Sequence, residues 1–429
     1  MLSRLLPALL LGLFAASAPP ASAGWTTFNA SSARAGVVSG APVLRRLTRS
    51  YVRNLDGEVY GQPLFAAGKV YVATENNSVY AFGARDGRLV FARHLGAPVP
   101  GHSLPCGNID PSGITGTPVI YAGRIYAVAY LRRGHRHVLY GLDPSSGRVL
   151  VRAETSPPGR SRSSQQRGAL LGAHGRIYVP YGGLNGDCGH YRGYVVSVTA
   201  AGRSRQVYVN PSPHAGIWAV AGLSLEPGGS LLAATGNGAG AGPYSYANSV
   251  IRLSSGLRRL ASWAPADWRA LSGGADLDIG SIAPVALPDG SIFQSGKSGF
   301  GYRLAPRLGG VGAEAYRARI CDMAVYGAAA VAPPYVLVPC LSSLVALRLT
   351  PRGFEVAWRT HGKSASPIVA GGAAISMQSG HLRAVGLKDG RPLADVVLGE
   401  GSTSFPLISG NGDLIAAGIG ARLVVLRVS

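Results

Sequence analysis

Asp276 and Asp278, one residue apart, and Lys297, in the run Gly296-Lys297-Ser298-Gly299, are the side chains whose types could best do chemistry in this chain. A carboxylate can accept a proton and an ammonium can steady a developing anion. Taken singly, each has a plainer reading. Asn237 in Gly236-Asn237-Gly238 reads as a turn residue, the two aspartates as loop caps, Lys297 as a solvated turn and Trp218 as core between repeats. The lysine run is not a phosphate-binding loop, because neither the glycine-rich lead nor the following helix accompanies it. The H-E-x-x-H and G-x-S-x-G patterns are missing, and Glu226 and Glu314 stand alone, so neither metalloprotease, serine-hydrolase nor paired-carboxylate chemistry has support. His135 and His137 flank Arg136 at an expected hairpin tip, where two solvent-exposed histidines are incidental rather than ligands.

These residues need a scaffold, and the chain writes one out repeatedly. One copy runs Gly61-Gln62-Pro63-Leu64, Gly68 to Ala73, Ser78 to Phe82 and Asp86 to Val90; the next runs Gly116-Thr117-Pro118-Val119, Gly123 to Val128, Val138 to Asp143 and Ser146 to Leu150. Each copy reads as four short strands separated by turn residues, and repeats of this kind make a propeller. Openers recur at 61–63, 116–118, 165–168, 216–218, 280–284, 326–328, 364–367 and 404–406. The expectation is an all-β, eight-bladed β-propeller of four-stranded antiparallel blades, forming a single domain over residues 24–429. The last opener leaves room for three strands, so the fourth strand of that blade is expected from Leu47–Leu55, which would remove exposed sheet edges. One helical turn is expected between Asp267 and Leu271. The longer loops, after His94, Tyr181, Gly236 and Trp263, are where function is expected to sit.

Residues 1–23 read as a signal peptide. Arg4 gives the positive start, Leu5 to Ala18 the apolar stretch, and Ala21-Ser22-Ala23 the cleavage pattern. A secreted or cell-wall-associated protein without a transmembrane segment is expected, and a monomer. Four cysteines in an exported chain favour two disulfides. Three pairings are possible; the favoured one is Cys106–Cys188 with Cys321–Cys340, the second because both fall in one repeat. The formal charge of +21, carried by 41 basic against 20 acidic residues, draws polyanions such as wall polymers. The arginines are scattered and lack the aromatic interleaving of a single-strand binder, so no specific nucleic-acid role is expected.

The phrase from Gly68 to Arg88, with its kin at Gly123 and Gly175, resembles the pyrroloquinoline quinone (PQQ) repeat of quinoprotein alcohol dehydrogenase-like propellers, and almost the whole mature chain is covered. Similar rings serve as PQQ-dependent dehydrogenases and as non-catalytic assembly scaffolds. The resemblance implies a central funnel holding PQQ on a calcium or lanthanide ion. Thr235-Gly236-Asn237 matches the stretch supplying an asparagine ligand, and Ala275-Asp276-Leu277-Asp278 the catalytic aspartate with its lanthanide partner. The run Gln294 to Tyr302, containing Lys297, matches the segment that sets a cation by the quinone oxygens, and Trp218 stands where a tryptophan lies under the quinone ring. The family's metal-binding glutamate is replaced. An ungapped match puts Cys188 in its place, with Asp187 beside it as the tentative substitute. The family's adjacent-cysteine disulfide and any C-x-x-C-H haem site are also missing.

The expected function is therefore an exported propeller with a degenerate quinoprotein-type centre, binding a small polar ligand, an envelope polyanion or a protein partner. The first alternative is a PQQ- and metal-dependent alcohol dehydrogenase with Asp276 as base. The second is a cell-envelope assembly scaffold.

Overall fold

A computed structural model describes residues 24–159, 161–238, 242–273, 276–399, 401 and 406–429. The expected signal peptide, Ala275 of the aspartate phrase and Ser404-Phe405 of the last opener lie outside the described residues.

Eight antiparallel sheets form the ring. Blade 1 is built from Leu64–Ala66, Lys69–Ala73, Ser78–Gly83 and Leu89–His94, each strand pairing with the next. The same meander makes blade 2 (119–154), blade 3 (164–213), blade 4 (224–264), blade 5 (285–319), blade 6 (330–359) and blade 7 (368–397). Blade 4 gains a short parallel strand, Gly310–Val311, on its outer edge. In blade 3 the innermost position is split between Ser164–Gln165 and Leu171–Ala173, both paired with Arg176–Gly183. Blade 8 takes three strands from 408–428 and its fourth, Leu47–Asn54, from the other end of the chain, with Leu47 opposite Val428 and Asn54 opposite Arg422. The expected closure is thus realised, one residue shorter than the sequence pattern.

Alternation explains which strand goes where. The second and third strands bury nearly every residue, as Val70-Tyr71-Val72 and Val336-Leu337-Val338 do, because each blade is flanked by another on both faces. Outermost strands keep one inward residue in an otherwise exposed run, as Phe91 does within Leu89–His94. The expected helical turn forms at Trp268–Leu271.

Residues 24–38 are not a blade. They cross the central shaft, and their main chain is bonded to the inner strands of several blades. Trp25 O accepts from Phe65 (3.0 Å), Thr26 O from Ile120 (2.7 Å), Ser32 O from Leu225 (2.8 Å), Ala35 O from Val331 (2.8 Å), and Val38 N–H donates to Val369 O (2.8 Å). Phe28 packs on the axis among Ala169, Ala219, Ala221, Ala283, Ala328 and Leu407, residues from the inner edges of five blades. Arg34 is fully buried, donating to Leu223 O at 2.8 Å, Leu170 O at 3.2 Å, Phe28 O at 3.3 Å and Thr27 Oγ1 at 2.7 Å. Among the described residues no acid pairs with it, and burial pulls its guanidinium down to about 9. The segment leaves the shaft past Gly371, whose φ of +55° and lack of a Cβ are required, since a Cβ would lie 1.9 Å from Pro42 O.

Candidate funnel-mouth site

In a four-stranded meander, the turn between the second and third strands and the connection to the next blade emerge on the same face. That face, called upper here, collects the chemistry. Its turns carry Glu75 in blade 1, Asp187 in blade 3, Asn237 in blade 4 and Lys297 in blade 5. Its connections carry Arg167, Trp218, Asp276, Asp278 and Tyr326.

Lys297, Asp276, Asp278 and Asn237 come together. The helical turn ends at Leu271, and Asp276 takes a left-handed φ of 49° that redirects the chain across the mouth. Lys297 Nζ lies 2.7 Å from Asp276 Oδ1 and 2.6 Å from Asp278 Oδ2. Its main-chain N–H also donates to Asp278 O at 2.9 Å, which locks the two loops together. Asn237 Nδ2 donates to the same Asp276 oxygen at 2.7 Å, while its own Oδ1 is buried without a partner among the described residues. Asp276 is 60% exposed, Lys297 12% and Asp278 0%. Burial raises the Asp278 carboxyl above the ordinary carboxylate range, against the pull of Lys297. Burial opposes the Lys297 charge, but the two carboxylates outweigh it and hold the ammonium above an ordinary lysine. Lys297 is therefore not the solvated turn of the plainer reading.

Trp218 is half-buried and sits on glycines. A Cβ would meet its ring at 2.0 Å from Gly236, 2.2 Å from Gly216 and 2.9 Å from Gly182, so no other residue type leaves the indole its place. Tyr191 lies beside it with centroids 6.2 Å apart, and stacks on His214 at 4.9 Å. Asp187 is exposed and accepts from the Tyr191 hydroxyl at 2.5 Å. Burial and that carboxylate hold the phenol far above its ordinary value. The disulfide Cys106–Cys188 ties this turn to the connection between blades 1 and 2, and Cys321–Cys340 brackets the start of blade 6, from which Tyr326 reaches within 5.8 Å of Lys297 Nζ. Both pairs are those favoured from the sequence.

Three participants escape the sequence reading. Glu75 is buried, with Oε2 accepting from Gly113 N–H at 2.6 Å and Thr115 Oγ1 at 3.1 Å and Oε1 without a partner among the described residues. Burial raises its carboxyl to about 7. Arg167 lies within electrostatic reach of Tyr60, Glu75 and Asp187, though burial pulls its guanidinium down. Tyr191 is the third. A signal existed for Glu75: it follows its strand just as Asn237 and Lys297 follow theirs in other copies of the repeat. One expectation is overturned. His137 is not solvent-exposed; it is 1% exposed inside strand Arg136–Leu142, stacked on Tyr130 at 4.0 Å and edge-on to Tyr181 at 5.1 Å. The turn residues are 132–135, and His137 already belongs to the inward-facing strand. Glu226 and Glu314 are structural: Glu226 pairs with Arg252 at 2.6 Å, and Glu314 accepts from Trp263 Nε1 at 3.1 Å.

The donor set does not fit a divalent or trivalent ion. Such ions need six or more oxygens, several of them anionic. Here the ammonium of Lys297 already lies against both aspartates, and Cys188 is spent in a disulfide. Among the described residues, no three His, Cys, Asp or Glu side chains come together as a metal site would require. The indole platform is compatible with a flat ring; the ion that would hold a quinone there is not provided for.

Comparison with known proteins agrees with this architecture. A family model described as outer membrane protein assembly factor BamB matches residues 38–238. A quinohemoprotein alcohol dehydrogenase, ADHIIG from Pseudomonas putida HK5, superposes with a TM-score of 0.74 at 14% identity, covering 95% of this chain and 80% of that one. A europium-containing methanol dehydrogenase gives a TM-score of 0.74 at 14% identity, with 95% and 98% covered. BamB from Moraxella catarrhalis gives 0.61 at 12% identity, with 90% and 98% covered. No curated protein matches by sequence. The chain is a β-propeller of the PQQ-repeat type. At these identities the likeness to solved structures is one of fold, shared by enzymes and an assembly factor alike.

Proposed function

We propose that this is an exported binding propeller whose upper funnel takes a small polar ligand without oxidising it. The observation that carries the reading is the placement of Lys297 Nζ, 2.7 and 2.6 Å from the two carboxylates that would otherwise hold an ion. An internal ammonium supplies the countercharge, so the resident cation of a quinoprotein centre has no vacant seat. Export is supported by the targeting pattern of residues 1–23 and by the pairing of all four cysteines. No helix among the described residues is long and apolar enough to cross a membrane.

The test is a dye-linked alcohol oxidation assay with PQQ and either calcium or lanthanum added, run beside thermal melts. The reading expects no turnover and no rise in melting temperature. A second reading, a PQQ-dependent alcohol dehydrogenase, draws support from the convergence of Trp218, Asn237, Asp276 and Lys297 at one mouth. It requires Lys297 to give up at least one aspartate. Turnover that Asp276→Asn abolishes would establish it and overturn the first.

A further inference from the structure

Scattered along the sequence, many of the arginines gather in space on the lower face, opposite the funnel mouth. That face carries the turns between the first and second strands of each blade and between the third and fourth. The second kind of turn is built alike from blade to blade. Its glycine packs on an aromatic ring of the preceding blade's outermost strand. A Cβ would lie 2.7 Å from Tyr51 at Gly87, 2.5 Å from Phe91 at Gly147 and 2.9 Å from Trp358 at Gly390. The chain leaves each joint in the same way, as Arg88-Leu89-Val90 in blade 1, Arg148-Val149-Leu150 in blade 2 and Arg391-Pro392-Leu393 in blade 7. Blade 8, between blades 7 and 1, has its equivalent in Val43, Arg45 and Arg46, just ahead of its borrowed strand. The arginines of these phrases are exposed, and their leucines and valines are 39–70% exposed. Single exposed leucines are ordinary, but a row of them flanked by cations across four neighbouring blades marks a contact surface. A groove of about 430 Å³ in blade 1 joins the two kinds of side chain, lined by Lys69, Asp86, Arg88, Leu89 and Val90. The acids of the arc are already engaged. Asp86 accepts from Arg88 N–H at 3.0 Å and Asp143 from Ser146 N–H at 2.9 Å, while Asp389 pairs with Arg391 at 3.4 Å and Asp413 with Arg85 at 2.9 Å. The side chains of Arg45, Arg46, Arg88 and Lys388 have no acidic partner among the described residues.

We propose that this lower arc, across blades 7, 8, 1 and 2, seats the protein on a bilayer surface with anionic headgroups. Guanidinium groups bind phosphate oxygens, and apolar side chains beside them enter the boundary between headgroups and acyl chains. Each cation near such a surface adds to the attraction. A soluble polyanion would satisfy the arginines but leave the leucines and valines in water, so their presence favours the bilayer. The proposal does not rest on the small-ligand reading. Seated this way, the upper funnel faces away from the lipid and stays open to solvent.

Co-sedimentation of the full chain with vesicles at low salt tests it, using phosphatidylcholine alone and phosphatidylcholine mixed with phosphatidylglycerol, beside retention on heparin. Binding is expected to the mixed vesicles only. Arg88→Gln with Arg148→Gln should weaken it by about tenfold or more. Arg132→Gln with Arg133→Gln removes the same charge from an upper turn of blade 2, beyond the screening distance of a surface below, and should change it by less than about threefold. Leu89→Ser with Leu393→Ser should weaken vesicle binding by about fivefold or more and leave heparin retention unchanged. All these side chains are exposed, so melting temperatures should hold; Arg45→Gln with Arg46→Gln is the second lower pair should the first perturb the fold. Equal losses from the lower and upper pairs would reduce the effect to net charge and overturn the proposal. Vesicle binding indifferent to the serine pair would overturn it in favour of a soluble polyanion, and so would heparin retention without any binding to the mixed vesicles. No binding to either would overturn it outright.

Discussion

Replacing Lys297 by methionine keeps most of the side chain's volume and removes its charge. Asp278, 0% exposed, then loses an ammonium 2.6 Å away and has no other cation in contact among the described residues. Breaking a buried ion pair by removing one partner costs about 3–5 kcal/mol, a large share of the ~5–15 kcal/mol that typically holds a domain folded. The expected loss for Lys297→Met therefore lies in that range, read as a fall in the urea midpoint at constant slope. Adding Asp278→Asn should recover about 2 kcal/mol or more, because the second change removes the stranded charge. The deficit should also shrink on acidification. An acid whose native pKa lies above its unfolded value is favoured protonated, so its cost appears as pH rises above the unfolded value and fades as pH falls back towards it. A loss under about 1 kcal/mol would refute the account of Lys297 as the internal counter-ion. So would millimolar calcium or lanthanum stabilising the unsubstituted protein, since an ion would then be displacing the lysine.

His137 offers a sharper pH dependence. Burial between Tyr130 and Tyr181 lowers its imidazole to about 3, against an ordinary 6.5. The unfolded chain takes up a proton that the native one refuses, so stability should fall by about 1.4 kcal/mol per pH unit below 6.5, roughly 2 kcal/mol by pH 5, and His137→Phe should flatten that slope in chemical denaturation. Arg34→Met strands the carbonyls of Leu170 and Leu223 on the shaft axis; a loss of about 2–4 kcal/mol is expected, and a melting temperature within error of the parent would contradict the keystone role of residues 24–38. The scattered surface arginines predict retention on heparin that disappears at moderate salt; salt-indifferent retention would point to a specific site instead.

The ring was legible because each blade repeats the same turn and strand spelling, and even the borrowed strand at Leu47–Asn54 could be counted in by arithmetic on the last opener. Asn237, Asp276, Asp278 and Lys297 were legible through motif likeness, though not the direct contact of the lysine with both acids, which depends on the left-handed turn at Asp276. The segment 24–38 was opaque. It has neither alternation nor repeat, and its order comes from bonds to inner strands up to 333 residues away, such as Val369 N–H to Gly36 O. His137 was misjudged because the sequence pattern does not fix where a hairpin turn stops, and a shift of two residues moves a side chain from water into the sheet.

Phe28 and its collar of alanines make the ring a blind well rather than a conduit. A ligand taken up past Trp218, as proposed above, would have to leave by the same upper face, beside Asp276, Lys297 and Tyr191. A polypeptide could not be drawn through the hub, and any dealings with a larger molecule must take place on the rim or the outer flanks.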